Sequence, residues 1–357
     1  MLVQPVAVTG KRQRLQKKIP MLKIFLMTKN ETALIEDWIK YHGYLFGLEN
    51  IHVFDGSDDK EVLDIYARYI PLGLKVHYSP ANLNDACDEL NSLMHQYKGE
   101  DNFLIKLDTD EFIACTEPFN LQAHSRLDRF FRKGSLITRE KTGRFRRLLS
   151  EKVMDFRCAN KVLLTDNIND RLEKLPVTGK KYKAALTVWS LPTQEASHRP
   201  CRELTRFTAI QYTQVKSFFH SSSFVSVDLG CHRGVTTDNS GEIDTGLTIV
   251  HYHSTSVEDS VRRARQALLS HGYISESDDI RTQKEKLMRL ISSAEANSFH
   301  KMEFYIKHLD FLNHGSPVAP STLNLYHPHF RSSGAEREVT IIRDTLEQID
   351  ASGRFCS

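Results

Sequence analysis

The strongest chemical signal in the sequence is Asp108-Thr109-Asp110, directly after the short apolar run Asn102-Phe103-Leu104-Ile105-Lys106-Leu107. Two carboxylates one residue apart in a turn, rather than on opposite faces of a strand, can converge on one hard cation. Mg²⁺ and Mn²⁺ are held this way in phosphate chemistry, by one or two carboxylates together with substrate phosphates. A bare pair of this kind also occurs as a solvated acidic turn, so its weight comes from the elements around it. Other phosphate cradles are missing. No G-x-G-x-x-G follows the first predicted strand, and no Walker A sequence occurs anywhere. The D-x-D-x-T of haloacid-dehalogenase phosphatases also differs, because it follows a first strand, whereas here the pair follows the fourth and Phe112 stands at the Thr position.

The elements that must position this turn alternate from residue 21 onward. Leu22 to Met27, Asn50 to Phe54, Leu74 to Tyr78 and Asn102 to Leu107 have strand length and composition. Between them, Leu34, Trp38, Tyr41 and Leu45 share one helical face after Asn30, an N-cap residue type, and Gly47 ends that helix. Trp38 is predicted to be core at this spacing. Val62, Ile65, Tyr66 and Tyr69 mark a second helix, and Ala86, Leu90, Leu93, Met94 and Tyr97 a third. Strands separated by such helices imply βαβ units and a mostly parallel sheet, whose ligands bind beyond the carboxyl ends of the strands. Those ends carry Lys29-Asn30-Glu31, Asp55-Gly56-Ser57-Asp58-Asp59, Ser79-Pro80 and Asp108-Thr109-Asp110-Glu111. Further strands, antiparallel in part, are expected between Lys183 and Tyr252. A capping box at Ser256 to Asp259 then opens helical segments over roughly 257–271, 278–296, 298–312 and 335–349.

Lys29-Asn30-Glu31, Ile35 to His42, Gly47, Phe54 to Asp59 and Leu107 to Phe112 come in an order and spacing that resemble GT-A glycosyltransferases of the family 2/family 92 type. The resemblance is firm over residues 21–113. It is looser to about residue 255, through Lys216-Ser217, Gly230-Cys231-His232 and His251-Tyr252. It implies an α/β, Rossmann-like GT-A domain over 21–255, with a nucleotide-sugar and metal half at 21–113 and an acceptor half at 114–255. A basic tail (1–20) precedes it and a helical extension (256–357) follows.

By the same resemblance, the chain would be a metal-dependent inverting transferase. It would move sugar from a nucleotide-diphosphate sugar to a glycan, glycolipid or polysaccharide. Lys29, Asn30 and Glu31 would line the nucleotide pocket, and Asp55 would bind base or ribose, with Ser57 and Asp59 supporting the turn. Asp108 would contact ribose or sugar, and Asp110 would ligate Mn²⁺ or Mg²⁺, a clamp for the charge that develops on the leaving diphosphate. Glu111 would orient these carboxylates. His232, in a Gly-rich turn, and His251 are candidates for a later metal or diphosphate ligand, and Lys216 for a point charge on the diphosphate. Inversion needs a general base at the acceptor hydroxyl. Glu203 is the candidate, with Asp155 and Asp228 as rivals.

Two other classes fit part of this pattern. A sugar-phosphate nucleotidyltransferase shares acidic metal sites, but its Gly-rich, basic loop after the first strand is missing. A non-catalytic nucleotide-sugar-binding module would have less reason to retain the acidic turn.

The 357 residues hold 48 Lys and Arg against 45 Asp and Glu, a net +3 that averages unlike parts. Lys11, Arg12, Arg14, Lys17 and Lys18 form an acid-free tail, and Arg126 to Arg147 has nine basic residues against Asp128 and Glu140. Arg262, Arg263, Arg265, Arg281, Lys284, Lys286 and Arg289 add basic helix faces suited to an anionic membrane surface or to packing. The overall balance does not suit a nucleic-acid binder. With 40% apolar residues, the chain has the composition of a globular protein and no run near the ~20 residues of a membrane span. The six scattered cysteines lack C-x-x-C spacing, and the basic residues are not followed by the apolar h-region of a secretory signal. Both observations predict a reduced, cytoplasmic setting, with peripheral membrane contact through the basic segments.

Overall fold

The computed structural model describes residues 21–79, 83–116, 162–163, 166–184, 186–191, 197–209, 216–252, 256–293, 299–313 and 336–355. The basic tail, the Arg126 to Arg147 segment and Asp155 lie outside them. The chain opens with β1 (Met21–Thr28), α1 (Thr32–Phe46), β2 (Ile51–Asp55), α2 (Lys60–Tyr69), β3 (Lys75–Tyr78), α3 (Leu83–His95) and β4 (Asn102–Leu107). Then come β5 (Glu111–Thr116), β6 (Val162–Leu163), α4 (Asp166–Glu173), β7 (Lys181–Lys183), β8 (Leu186–Ser190), α5 (Pro200–Glu203), β9 (Arg206–Ala209) and β10 (Ser217–His220). The remainder is β11 (Phe224–Val227), β12 (Gly234–Thr236), β13 (Glu242–Asp244), β14 (Leu247–His251), α6 (Val257–Ser270), α7 (Ile280–Ser293), α8 (Phe299–Asn313), β15 (Glu336–Glu338) and α9 (Ile341–Ser352).

The fold is mixed α/β. Its central sheet has the order β13-β7-β10-β4-β1-β2-β3. β1 pairs in parallel with both β2 and β4, β2 with β3, and β13 with β7, while β10 pairs antiparallel with β4 and β7. A second sheet, β15-β9-β8-β14-β5-β6, is joined mostly by antiparallel pairs.

Period-two alternation divides the central strands between two cores. Leu22, Ile24, Leu26, Ile51, Val53, Phe103, Ile105 and Leu107 pack with α1 and α2. Phe25, Phe54 and Leu104 pack on the opposite face with Leu90 and Met94 of α3 and Phe224 of β11. Covered on both faces, β1, β2 and β4 read as near-continuous apolar runs. The same alternation turns Lys23, His52 and Lys106 toward α3 and buries them, so each must find a polar partner there.

α1 ends at Gly47, whose φ of +85° belongs to the left-handed region that favours glycine. A Cβ there would lie 2.5 Å from the Glu49 carboxylate. The N-cap of α1 is Glu31 rather than Asn30. Asn30 has φ 54°, and its amide side chain crosses to the β2–α2 loop instead of closing its own helix.

α6, α7 and α8 share a core of their own around Val261, Leu268, Leu287, Met302 and Leu309. The Ser256 hydroxyl accepts from the Asp259 N–H at 3.0 Å, as the capping-box pattern predicts. The helix expected over 335–349 starts only at Ile341, and β15 precedes it on the edge of the second sheet. α9 returns to the main core, where Ile342, Leu346 and Ile349 are buried.

Candidate functional site

The turn Asp108 to Glu111 connects the central sheet to the second one and closes with an N–H of Glu111 donating to the Asp108 carbonyl at 3.0 Å. Thr109 Oγ1 donates to Thr28 Oγ1 at 2.7 Å, tying the turn to the carboxyl end of β1. α1 holds the strand that follows. Trp38 Nε1 donates to the Glu111 carbonyl (2.9 Å) and the Tyr41 hydroxyl to the Ile113 carbonyl (2.7 Å). His42 bonds the Trp38 carbonyl through Nδ1 (3.0 Å) and lies 3.5 Å from the Ile113 N–H through Nε2. Both contacts suit a neutral ring protonated at Nδ1, and burial lowers its pKa to about 3. The Trp-x-x-Tyr-His spacing is therefore a brace for β5.

Two buried lysines fix Asp108. Lys106 Nζ donates to one carboxylate oxygen and to the Leu229 carbonyl, and Lys216 Nζ, 2.9 Å away, to the other. Burial alone would raise the Asp108 carboxyl, but these two ammonium groups outweigh it and hold it well below the usual carboxylate range. Lys216 is itself 1% exposed. It also bonds Glu111 at 2.9 Å and the Gly230 carbonyl at 2.6 Å. Burial would lower the Lys216 ammonium, yet Asp108 and Glu111 keep it above its ordinary value. Glu111 closes the ring by accepting from the Asp108 N–H, and burial pushes its carboxyl up despite Lys216.

Asp110 is 5% exposed and looks the other way, toward β14 and the helical extension. Its Oδ1 is 3.2 Å from His251 Nε2, and its Oδ2 accepts from Arg263 at 2.6 Å. Burial would lower the His251 imidazole, but the adjacent Asp110 carboxylate raises it above its ordinary value. Register places His251 opposite Glu111, and the Tyr252 N–H donates to the Asp110 carbonyl at 2.7 Å.

The nucleotide-side candidates lie together at the ends of β1 and β2. The Asn30 N–H donates to Ser57 Oγ (2.7 Å), and its side-chain oxygen accepts from the Asp58 and Asp59 N–H groups, both at 3.1 Å. Asp55 is buried and accepts from Ser57 N–H, Ser57 Oγ and the Tyr66 hydroxyl at 2.7–3.0 Å. Burial raises its carboxyl. Asp59 caps α2 through the Glu61 N–H, Lys29 is exposed beside the loop, and Glu31 lies 3.5 Å from Arg263. Tyr78, 59% exposed at the end of β3 and in register with Asp55, adds an aromatic face.

Not every candidate joins this group. His232 folds its ring over Gly230, one step removed from Lys216. Glu203 is exposed at the end of α5 and accepts from Ser197 Oγ at 2.5 Å. Asp228 is exposed in the turn before β12 and accepts from the Arg233 N–H. Lys106, Arg263 and Tyr78 lie with these groups although their sequence positions do not announce it. Lys106 alone carried a signal, a charge inside an apolar strand.

Among the described residues, no three His, Cys, Asp or Glu side chains converge as a metal cage. The donors at the turn are Asp110 Oδ1 and His251 Nε2. Such a pair fits a divalent cation that takes its other ligands from phosphate oxygens and water.

No family model matches the sequence, and no curated protein does. Among solved structures the chain is similar to the mannosyltransferase PcManGT from Pyrobaculum calidifontis, a complex with GDP-Man and Mn²⁺. That match has 11% identity, covers 95% of this chain and 88% of the other, and has a TM-score of 0.32. A structure of S. aureus TarS residues 1–349 is 12% identical over 93% and 92% of the two chains, with a TM-score of 0.26.

Proposed function

We propose that this chain is a metal-dependent, inverting glycosyltransferase that moves a sugar from a nucleotide-diphosphate sugar to a glycan, glycolipid or polysaccharide acceptor. The observation that supports it is the Asp108-Thr109-Asp110 turn, placed beyond the carboxyl end of a parallel strand, with one carboxylate fixed by two lysines and the other facing His251. Ligands of open α/β sheets bind at these strand ends.

Asp110 and His251 would hold Mn²⁺ or Mg²⁺ there. When bound, the cation would neutralise the charge that grows on the leaving diphosphate. Asp108, immobilised by Lys106 and Lys216, would present a fully ionised carboxylate to the ribose or sugar hydroxyls, with no reorganisation needed on binding. Asn30, Ser57 and Asp59 fix the shape of the nucleotide-side wall, Lys29 and Glu31 would line it, and Asp55 sets its floor. Tyr78 would offer a face to the base. Glu203, exposed at the end of α5, is the proposed acceptor-side base on the family resemblance of its position. It would take the acceptor hydroxyl proton as that oxygen attacks the sugar carbon.

A panel of nucleotide-sugars, assayed for nucleoside diphosphate release with and without Mn²⁺, tests this reading. Release should require the cation and should vanish in Asp110→Asn with the fold intact. Full turnover in excess chelator would contradict it, and consumption of nucleoside triphosphate would point to nucleotidyl transfer instead.

A further inference from the structure

Arg263 holds the carboxylate that the proposed cation needs. It projects from the second turn of α6 into a group of three acids: Asp110 Oδ2 at 2.6 Å, Asp259 Oδ2 at 3.1 Å and Glu31 Oε2 at 3.5 Å. Its side chain is 13% exposed, so these contacts are shielded from bulk solvent and from most salt screening. With Arg263 on Oδ2, a divalent cation on Oδ1 would share the same single negative charge, so each weakens the other's hold on Asp110. Arg263 is also not committed to Asp110 alone. Asp259, one turn back on the same helix, and Glu31 at the mouth of α1 give it an anchor when Asp110 is taken.

The charges around this point come from every element that packs there. Arg262 lies 2.7 Å from Asp259 and 3.6 Å from Glu31, and His251 faces Asp110 from β14. From α8, the half-buried Lys301 feels both Asp110 and Asp108 as well as Arg263. The helical extension thus supplies cations to an acidic turn some 150 residues earlier in the chain.

We propose that Arg263 is a displaceable counter-ion: it neutralises Asp110 until a divalent cation takes that carboxylate, and it then pairs with the donor diphosphate. This rests on the metal and diphosphate reading of the turn. The exchange leaves every charge with a partner: the arriving cation takes Asp110, Asp259 and Glu31 keep the guanidinium, and the arriving diphosphate then receives it. Arg suits the second role, since its planar fork matches phosphate oxygens in a two-point contact. The helical extension would in this way sense whether the site is loaded.

The test separates the two halves of the exchange. Mn²⁺ alone is titrated into wild type and Arg263→Ala, with free ion followed by electron paramagnetic resonance. UDP and GDP are then titrated with Mn²⁺ present. Arg263→Ala should bind Mn²⁺ several-fold more tightly, because its competitor is gone. It should bind the Mn²⁺–diphosphate roughly tenfold more weakly, because a charged hydrogen-bond donor is lost. Arg263→Lys should restore part of the diphosphate affinity, and Arg263→Gln replaces the alanine variant if that one does not fold. Mn²⁺ affinity unchanged or weaker in the variant overturns the competition. Unchanged diphosphate affinity overturns the transfer. A wild-type protein that binds Mn²⁺ but neither diphosphate refutes the donor-site reading, and the metal titration still decides the competition.

Discussion

At Lys216, one ammonium serves Asp108, Glu111 and the Gly230 carbonyl at 2.6–2.9 Å from a position 1% exposed. Removing it leaves the buried Glu111 without its ammonium partner, while the part-exposed Asp108 keeps Lys106; breaking one buried pair costs about 3–5 kcal/mol. Lys216→Met should therefore lose stability on that scale in urea unfolding, far more than an exposed lysine would. His42 and His52 make a different prediction. Burial lowers both to about 3, well below the 6.5 of a free imidazole. Below pH 6.5 the unfolded chain binds protons that the folded one refuses, so stability is full above that pH and falls as pH drops toward 3. Each ring contributes up to about 1.4 kcal/mol per pH unit in that window. His42→Gln keeps a donor and an acceptor and should flatten the acid limb of the urea midpoint against pH. The acidic residues were legible in the sequence because they follow a strand. Arg263 was not, because its role depends on a contact 153 positions away.

α1 is the element that converts sequence periodicity into site geometry. Its apolar face was legible from the 3.6-residue spacing, but that spacing says nothing of which backbone Trp38, Tyr41 and His42 would hold. Tyr41→Phe leaves the buried Ile113 carbonyl without this partner. It should cost about 1–3 kcal/mol in unfolding free energy, with faster amide exchange along β5 than elsewhere. α9 packs on the other side of α1, where Asp350 meets Lys40 at 3.1 Å and Arg202 at 2.8 Å. Arg202 also binds the buried Asp37 at 2.9 Å. A chain ending before Ile341 would lose Ile342, Leu346 and Ile349 from the core, uncover the apolar residues they pack against, and strip Asp350 from this network. It should unfold at markedly lower urea than the full chain. The join of β15 and α9 to the main body was hidden from sequence reasoning, since pairing partners over 100 residues apart leave no local pattern.

Over the whole molecule, the net charge of +3 averages unlike parts, and among the described residues opposite charges gather at the strand ends. Acids at the strand ends meet cations from β4, from the segment before β10 and from the helical extension. The basic helix faces expected to meet a membrane are partly used internally: Arg262 pairs with Asp259, Arg265 with Glu276, Lys284 with Asp310 and Lys286 with Asp278. No helix among the described residues is long and apolar enough to cross a membrane. The mostly parallel sheet was legible because strands alternating with helices imply βαβ units. The second sheet was less so, being built from short strands whose partners lie far apart. In the proposed function the Asp108 to Asp110 turn would hold a cation and, through it, a diphosphate. Calorimetric titration of UDP and GDP into the full-length protein, with and without Mn²⁺, tests it most directly. Saturable binding of at least one diphosphate is expected only with the cation, and should be lost in Asp110→Asn at unchanged folded-state circular dichroism. Equal binding without Mn²⁺, or full binding by Asp110→Asn, would contradict it.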